Sequence, residues 1–467
     1  MGAEGQHLPR VLRIFDISVL ASASMGPAYS LASTMGPIVI AAGYASPLAV
    51  VVLSVVMLCI SISFAYLSRV APNAGSSYSW IRTAFGSWVG AYGAWLLLLS
   101  NFFATMAIAV PAGTYTLALV APQFEQNTFY TAAVGAVWIV VSSILLYVGV
   151  RPTAWLTFLA LAFEILVLVA SAVAAALHPP AAQVLHAHGG DGGIFRGVTF
   201  TGFATAMVLA VWMNDGWEVS ASTSEEVDDS DVASGRGGIV GLVISSIVLV
   251  GCMAAYLHVG TLQGFSDNAA DALAYVGTLL GGPWWRLAIV VAVLLSTLTT
   301  LWTTILYLSR SVYAMGRDRV LPRWLGSLDR RNEPFWSLLI VAVLVTIFQL
   351  ITGLFKTVND QLTIVIDASA LFLGLLFVLS ALAAAKRFWG EPAARLGGVW
   401  VPATGALSLL FVLGVFVVIK PPLEQLYAWG GVALGIPFAF WRGWRMNLPP
   451  PGAGEPPGSP KQTAPAS

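Results

Sequence analysis

The chain has 467 residues, 58% of them hydrophobic and only 9% charged, with 22 Lys and Arg offset by 22 Asp and Glu. A soluble domain is roughly 45 to 50% apolar and about 25% charged, so a mean hydropathy of +0.82 over this length excludes a soluble globule and indicates an all-α polytopic membrane protein. Zero net charge also removes a nucleic-acid partner, which would need a basic surface.

At about 20 apolar residues per crossing, the chain holds roughly a dozen helices. Residues 1–13 precede the first apolar run, which begins near Ile14 and is too long for a cleaved signal peptide, so it is expected to stay as span 1. No Asp, Glu, Lys or Arg occurs between Asp16 and Arg69. That stretch suffices for spans 1 and 2, with Gly43-Tyr44-Ala45-Ser46-Pro47 as the turn. Span 3 runs from Ser87 to about Leu119, longer than a perpendicular crossing needs, which implies tilt. Thr128 to Val150 and Pro152 to Leu177 follow as spans 4 and 5, and the polar loop His178 to Gly197 closes this half.

The second half reads similarly, with span 6 at 198–224, span 7 at 237–260, span 8 at 284–314, span 9 at 335–355 and span 10 at 361–385. Spans 11 and 12 fall at 400–419 and 423–441. The organisation expected is a first unit at 14–197, a second at 198–385, two further helices within 386–447, and a Pro, Gly and Ala-rich disordered tail at 448–467. Cys59 and Cys252 lie inside apolar runs and read as buried thiols. His186 and His188, in a glycine-rich loop without further ligands, do not make a metal site. No phosphate-cradling glycine motif or nucleophile elbow is present, and neither cofactor nor metal is expected.

Basic residues set the orientation. With the N-terminus inside, only Arg196, Arg286, Lys356 and Lys420 fall outside, while the remaining arginines and lysines gather on inner segments. Both termini are therefore expected on the cytoplasmic side.

Two spans are interrupted. Span 1 carries Ser24-Met25-Gly26-Pro27, where Pro27 removes a backbone donor and Gly26 permits unusual dihedrals. Span 6 carries Trp212-Met213-Asn214-Asp215-Gly216-Trp217-Glu218, two carboxylates, an amide and a glycine between apolar flanks. Non-helical backbone at membrane depth survives only where protein or a polar cavity satisfies it. The breaks sit five spans apart, an odd number, so the second copy would cross the membrane in the opposite sense. That is the pattern of inverted repeats with a substrate site at the midplane.

Several segments then resemble the amino acid, polyamine and organocation (APC) transporter superfamily. Pro72-Asn73-Ala74-Gly75-Ser76-Ser77-Tyr78-Ser79-Trp80 with Ala84-Phe85-Gly86 is similar to its Pro-x-Ala-Gly-Gly-x-Tyr segment, Ser76 standing for the second Gly. Gly216-Trp217-Glu218 followed by Glu225-Glu226-Val227 resembles its acidic exit from helix 6. Ser309-Arg310-Ser311-Val312-Tyr313-Ala314-Met315-Gly316-Arg317-Asp318 with Leu321-Pro322 is similar to its Arg-x-x-x-x-Met-x-Arg-Asp segment. The resemblance implies twelve transmembrane helices in a LeuT-type 5+5 inverted repeat. It further implies a secondary transporter of amino acids or related amines across the cell membrane by alternating access, and no enzyme. An uncoupled exchanger, an intramembrane enzyme pairing Asp215 with Glu218, and a channel are the alternatives.

For a zwitterionic substrate, Ser24, Met25, Gly26 and Ala28 are the candidates to meet a carboxylate at the start of a half-helix. Carbonyls around Trp212, Met213 and Asn214, with Asp215, are candidates for the ammonium. The family's helix 1 break often reads Gly-Ser-Gly; one glycine and a proline leave fewer free amides here, and room for an amine. The resemblance also implies an aromatic cap on the substrate, which Trp212 or Trp217 would supply. Asn101 in span 3 is a candidate cavity amide. Acids within spans are retained for function more often than not. Glu164 in span 5 corresponds in position to a lysine linked to proton coupling in some family members, and Glu218 and Asp367 join it as candidate coupling groups. Hydroxyls of span 8, Ser296-Thr297-Leu298-Thr299-Thr300 and Thr303-Thr304, would in sodium-coupled relatives help hold the ion. The expected partners are thus a small amino acid or amine, the lipid bilayer and protons.

Overall fold

An apolar chain in lipid must satisfy each backbone polar group internally, and helix does this within a single segment. The computed structural model describes residues 8–181, 193–228, 233–419 and 422–446. Among these, every regular element is helical apart from one isolated bridge between Leu12 and Val227. The His186 and His188 loop and the 448–467 tail lie outside the described residues.

In chain order the helices are α1 (Ile14–Met25), α2 (Pro27–Ala42), α3 (Ser46–Val70), α4 (Ser76–Phe85), α5 (Ser87–Val120), α6 (Thr128–Val148), α7 (Val150–Leu177), α8 (Phe200–Met213), α9 (Val219–Ser222), α10 (Ala233–Val259), α11 (Leu262–Asp267), α12 (Ala272–Arg317), α13 (Phe335–Thr352), α14 (Val358–Phe388), α15 (Val401–Ile419) and α16 (Pro422–Met446). Among the described residues, nine stretches are long and apolar enough to cross a membrane. The first, Ile14–Val70, doubles back at a 3-10 turn over Gly43–Ala45 and contains the two expected legs. The sixth expected span is a shorter apolar helix, α8, because the chain leaves the helix after Met213.

Two differences from the expected layout have local causes. The element containing span 8 begins at Ala272 rather than 284, because a separate helix is joined to it across Gly281 and Gly282, the latter at φ 65°. The short helices α4 and α11 lie in connections, where neither is long enough to show as a span. α4 starts at Ser76, whose φ of 40° is left-handed. This is the position at which the resembling family carries its second glycine, and the backbone explains why: a side chain there is strained.

Burial separates centre from rim. The apolar core of α12 is 83% buried and that of α5 72%, against 33% for α7 and for α13. α5 and α12 therefore form the middle of the bundle, while α6, α7 and α13 turn Val137, Ile144, Leu159, Leu166 and Phe348 outward, as lipid-facing helices do. α5 packs on α12 and α14, α1 on α10, and α2 on α8 and α12.

The end of the bundle nearest the N-terminus is closed by ions. Arg310, fully buried, meets Glu226 at 2.9 Å and Glu333 at 2.9 Å. Arg317 meets Glu225 at 2.6 Å, and Asp318 takes Arg82 at 3.3 Å and the Tyr78 hydroxyl at 2.8 Å. The segment before α1 is fastened to the same place. Val11 and Leu12 both donate N–H to the Glu226 carbonyl, and Asp228 N–H returns to the Leu12 carbonyl.

Removing one member of a buried ion group leaves the others uncompensated, at a cost of about 3 to 5 kcal/mol. Arg310→Ala is therefore expected to lower the thermal unfolding midpoint of the purified protein in detergent by several degrees. An unchanged midpoint would show that the Glu226, Arg310 and Glu333 group does not hold this end together.

Candidate functional site

α1 gives way to α2 at Gly26, which has φ 54° and ψ 67°. Pro27 then opens α2, where a missing N–H costs least. The polar groups freed by the break are taken up at once. Gly26 N–H donates to the Ala23 carbonyl at 3.1 Å, Ser30 N–H to the Gly26 carbonyl at 2.7 Å, and the Ser30 hydroxyl to the Met25 carbonyl at 2.7 Å. α12 supplies the rest. Tyr29 N–H donates to Ser296 Oγ at 3.1 Å, and the Thr300 hydroxyl donates to the Ala23 carbonyl at 2.9 Å.

The second break follows α8. Asn214 N–H folds back to Ala210 and Val211, Asp215 N–H to Trp212, and Gly216 N–H donates to Glu218 Oε2 at 3.0 Å. Gly216 has φ 107°, and a Cβ on it would come within 2.5 Å of the Ser24 carbonyl oxygen. The two interruptions are thus in direct contact, backbone against backbone, and glycine is what permits the approach.

Between them lies a small cavity of about 20 Å³, room for about one water. The first break contributes Ser24, Met25, Tyr29 and Ser30 to its wall, and the second contributes Trp212, Asp215, Gly216 and Glu218. Asn101, Ala104 and Ile108 of α5 and Thr300, Thr304 and Tyr307 of α12 complete it. A second cavity, of about 590 Å³, opens toward the end opposite the ion pairs, between α2, α5, α8, α12 and α14. Trp212 borders both and stands between them. Asp271 lines this vestibule and caps α12 by accepting the Ala274 N–H at 3.1 Å. Burial pushes its carboxyl up to about 6.

The sequence candidates divide by position. Ser24, Met25, Asn101, Trp212 and Asp215 line the small cavity, as does Glu218. Gly26 and Ala28 form the turn beside it. Met213 is fully buried in the core. Asn214 is turned away: its Oδ1 accepts from Ser54 at 2.7 Å and Ser246 at 3.3 Å, tying the break to α3 and α10. Trp217 also faces the core, against Phe64 and stacked on Phe377, with ring centroids at 4.9 and 5.4 Å. Of the two tryptophans, Trp212 is therefore the one at the cavity. Asp367 lies in the vestibule wall.

Glu164 stands apart from the cavity but not from the break. It is fully buried, neither carboxyl oxygen has a hydrogen-bond partner, and it borders Ser296, the residue that receives the Tyr29 N–H. Of the span 8 hydroxyls raised as a sodium site, Ser296 and Thr300 pin the break, while Thr297, Thr299, Thr303 and Thr304 donate to carbonyls of their own helix. Among the described residues no group of three His, Cys, Asp or Glu could hold a metal.

Tyr29 and Tyr307 are cavity residues that sequence reasoning did not single out. Tyr307 was within reach of it, because Ser296, Thr300, Thr303, Thr304 and Tyr307 recur at helical spacing and mark one polar face. Tyr29 carried no such signal.

Two helices broken at membrane depth, in contact around a polar cavity beneath a vestibule, define a membrane permease. The chain belongs to the amino acid permease family, whose model matches residues 12–432. It is a family of transporters, not enzymes. The branched-chain amino acid permease BcaP of Lactococcus lactis subsp. cremoris is 25% identical over 62% of this chain and 65% of its own length. The L-lysine transport protein of Corynebacterium glutamicum is 25% identical over 64% of this chain and 60% of its own. A transporter of Mycobacterium tuberculosis is 28% identical over 73% of each chain. The chain thus spans less than two thirds of the length of the first two.

A side chain at Gly216 would run into the backbone of Ser24 and Met25, and one at Gly26 into Thr300 and Ser296 of α12. Gly216→Val and Gly26→Val are each expected to abolish substrate binding, measured by ligand-induced thermal shift. Normal affinity in both would place the site elsewhere.

Proposed function

We propose that this protein is a secondary active transporter of amino acids or related amines that works by alternating access. It is read as a LeuT-type 5+5 inverted repeat of twelve helices, with both termini cytoplasmic and α15 and α16 peripheral. The observation that carries the reading is the arrangement along one line through the bundle: vestibule, Trp212, small cavity between the breaks, then the ion-paired end. A path open at one end and sealed by Arg310, Arg317 and their partners at the other is one of the two states that alternating access requires.

The names of the relatives support the substrate class. BcaP is described as a branched-chain amino acid permease and the Corynebacterium protein as an L-lysine transporter. Substrate would enter the vestibule, displace Trp212 and settle between the breaks. Opening of the other end would then require the Glu225, Glu226 and Glu333 pairs to separate. Exposure of the vestibule and cavity to outside and inside in turn follows from the orientation set by the basic residues.

Transport is read as proton-coupled, with Glu164 as the coupling group and Glu218 and Asp367 as further candidates. A carboxyl whose surroundings change between two states exchanges a proton with the bulk phase on either side. Glu164 is buried among apolar neighbours, and Ser296 connects it to the α1 break, so movement of α1 would change its surroundings.

Purified protein in liposomes loaded with an unlabelled amino-acid and amine mixture should accumulate a labelled member by counterflow. No uptake across the whole panel would reject the assignment. Glu164→Gln is expected to lose pH-dependent uptake while keeping exchange. Retention of the wild-type pH profile would remove Glu164 from the mechanism.

A further inference from the structure

The small cavity is lined by acids and by no base. Asp215 and Glu218 both face it, and its lining contains no Lys, Arg or His. The Asp215 carboxyl lies against that of Glu218, and its Oδ1 is buried with no N–H or O–H donated to it. Three aromatic rings, Tyr29, Trp212 and Tyr307, share the same wall, and Trp212 is 6% exposed with its indole N–H also unpartnered. Aromatic rings together with carboxylates are the chemistry that holds an alkylammonium group.

Capacity for an anion is correspondingly small. At the start of α2, Pro27 has no N–H, Tyr29 gives its own to Ser296, and Ser30 gives its own to Gly26. Of the first four positions at most one, Ala28, keeps a donor for a carboxylate. A helix N-terminus binds anions through such donors, and here one is missing at Pro27 and another, that of Tyr29, is taken by Ser296 of α12.

The approach is charged in the same sense. Glu125, Asp267, Asp271 and Asp367 line the vestibule against a single cation, Arg286. A cleft lined by one sign of charge concentrates ligands of the other.

We propose that the substrate is an organic cation of net positive charge, held through an ammonium group at Asp215 and Glu218 against the Trp212 and Tyr307 rings. This rests on the transport reading above and narrows its substrate class. Two sources share the chemistry: a dibasic amino acid, whose carboxylate would use Ala28 N–H and the Trp212 indole, and an aliphatic diamine with no carboxylate.

The test is counterflow into liposomes containing the full-length protein, with three labelled probes of matched skeleton: L-lysine, cadaverine and L-norleucine. Lysine or cadaverine is expected to exceed norleucine by roughly ten-fold or more, the factor one charge-assisted hydrogen bond supplies. Lysine above cadaverine indicates the amino acid, and the reverse order the amine; either supports the inference. Norleucine equal to or above both cations overturns the charge assignment and leaves the transport reading intact. Absence of uptake of all three, with accumulation of some other neutral substrate, overturns the charge assignment alone. Absence across every substrate overturns both readings.

Asp215→Asn is expected to lower cation uptake about ten-fold or more. Because this variant could fail to fold, wild-type protein in detergent gives an independent readout. Lysine or cadaverine should raise its unfolding midpoint and norleucine at equal concentration should not; a shift by norleucine alone overturns the inference.

Discussion

A backbone that leaves the helix inside a bilayer has no water to turn to, and the structure is arranged around meeting that need twice in one place. The break after Met25 is stitched by its own carbonyls and by Ser296 and Thr300 of α12. The break after Met213 is stitched by backward turns and by the Glu218 carboxylate. Gly216 then lets the second lie against Ser24 and Met25 of the first. The polar surface left over becomes the cavity, so the site is what remains after the backbone has been satisfied.

The same economy explains the closed end. Three segments far apart in sequence, 72–86, 225–226 and 309–318, meet there. Ala74 N–H donates to the Glu225 carboxylate, Tyr78 and Arg82 reach Asp318, and Arg310 and Arg317 reach the two glutamates. Ser76 keeps a strained left-handed backbone at this junction, with its hydroxyl 3.2 Å from that of Tyr307 in the cavity wall. One hydrogen bond thus links the ion-paired end to the cavity wall.

Much of this was legible in the chain. Long uncharged runs marked the helices, and Gly26-Pro27 and Asn214-Asp215-Gly216 marked the breaks, because glycine, proline and carboxylates are costly in lipid-embedded helix. Direction around a helix was not legible. Asn214 and Trp217 lie beside cavity residues in sequence yet face α3, α10 and α14, since an element apolar on all sides carries no moment to orient it. Tyr29 was hidden for the same reason. Partners across the bundle were equally out of reach: that Thr300 hydrogen-bonds Ala23 depends on which faces of α1 and α12 meet, and hydroxyl spacing along α12 alone does not fix that.

The fastening of Val11 and Leu12 to Glu226 has a consequence for biogenesis. The segment nearest the start of the chain waits for a partner made more than two hundred residues later, and the group is complete only when Glu333, 23 residues after Arg310, has joined it. Such long-range pairings close late because their loops are long. During synthesis the ionic end therefore stays unassembled until α12 and the connection to α13 have left the ribosome. Until then its buried arginine and glutamates are unpaired charges at the membrane surface, and chains arrested before residue 333 carry the exposed polar groups that membrane quality control can recognise.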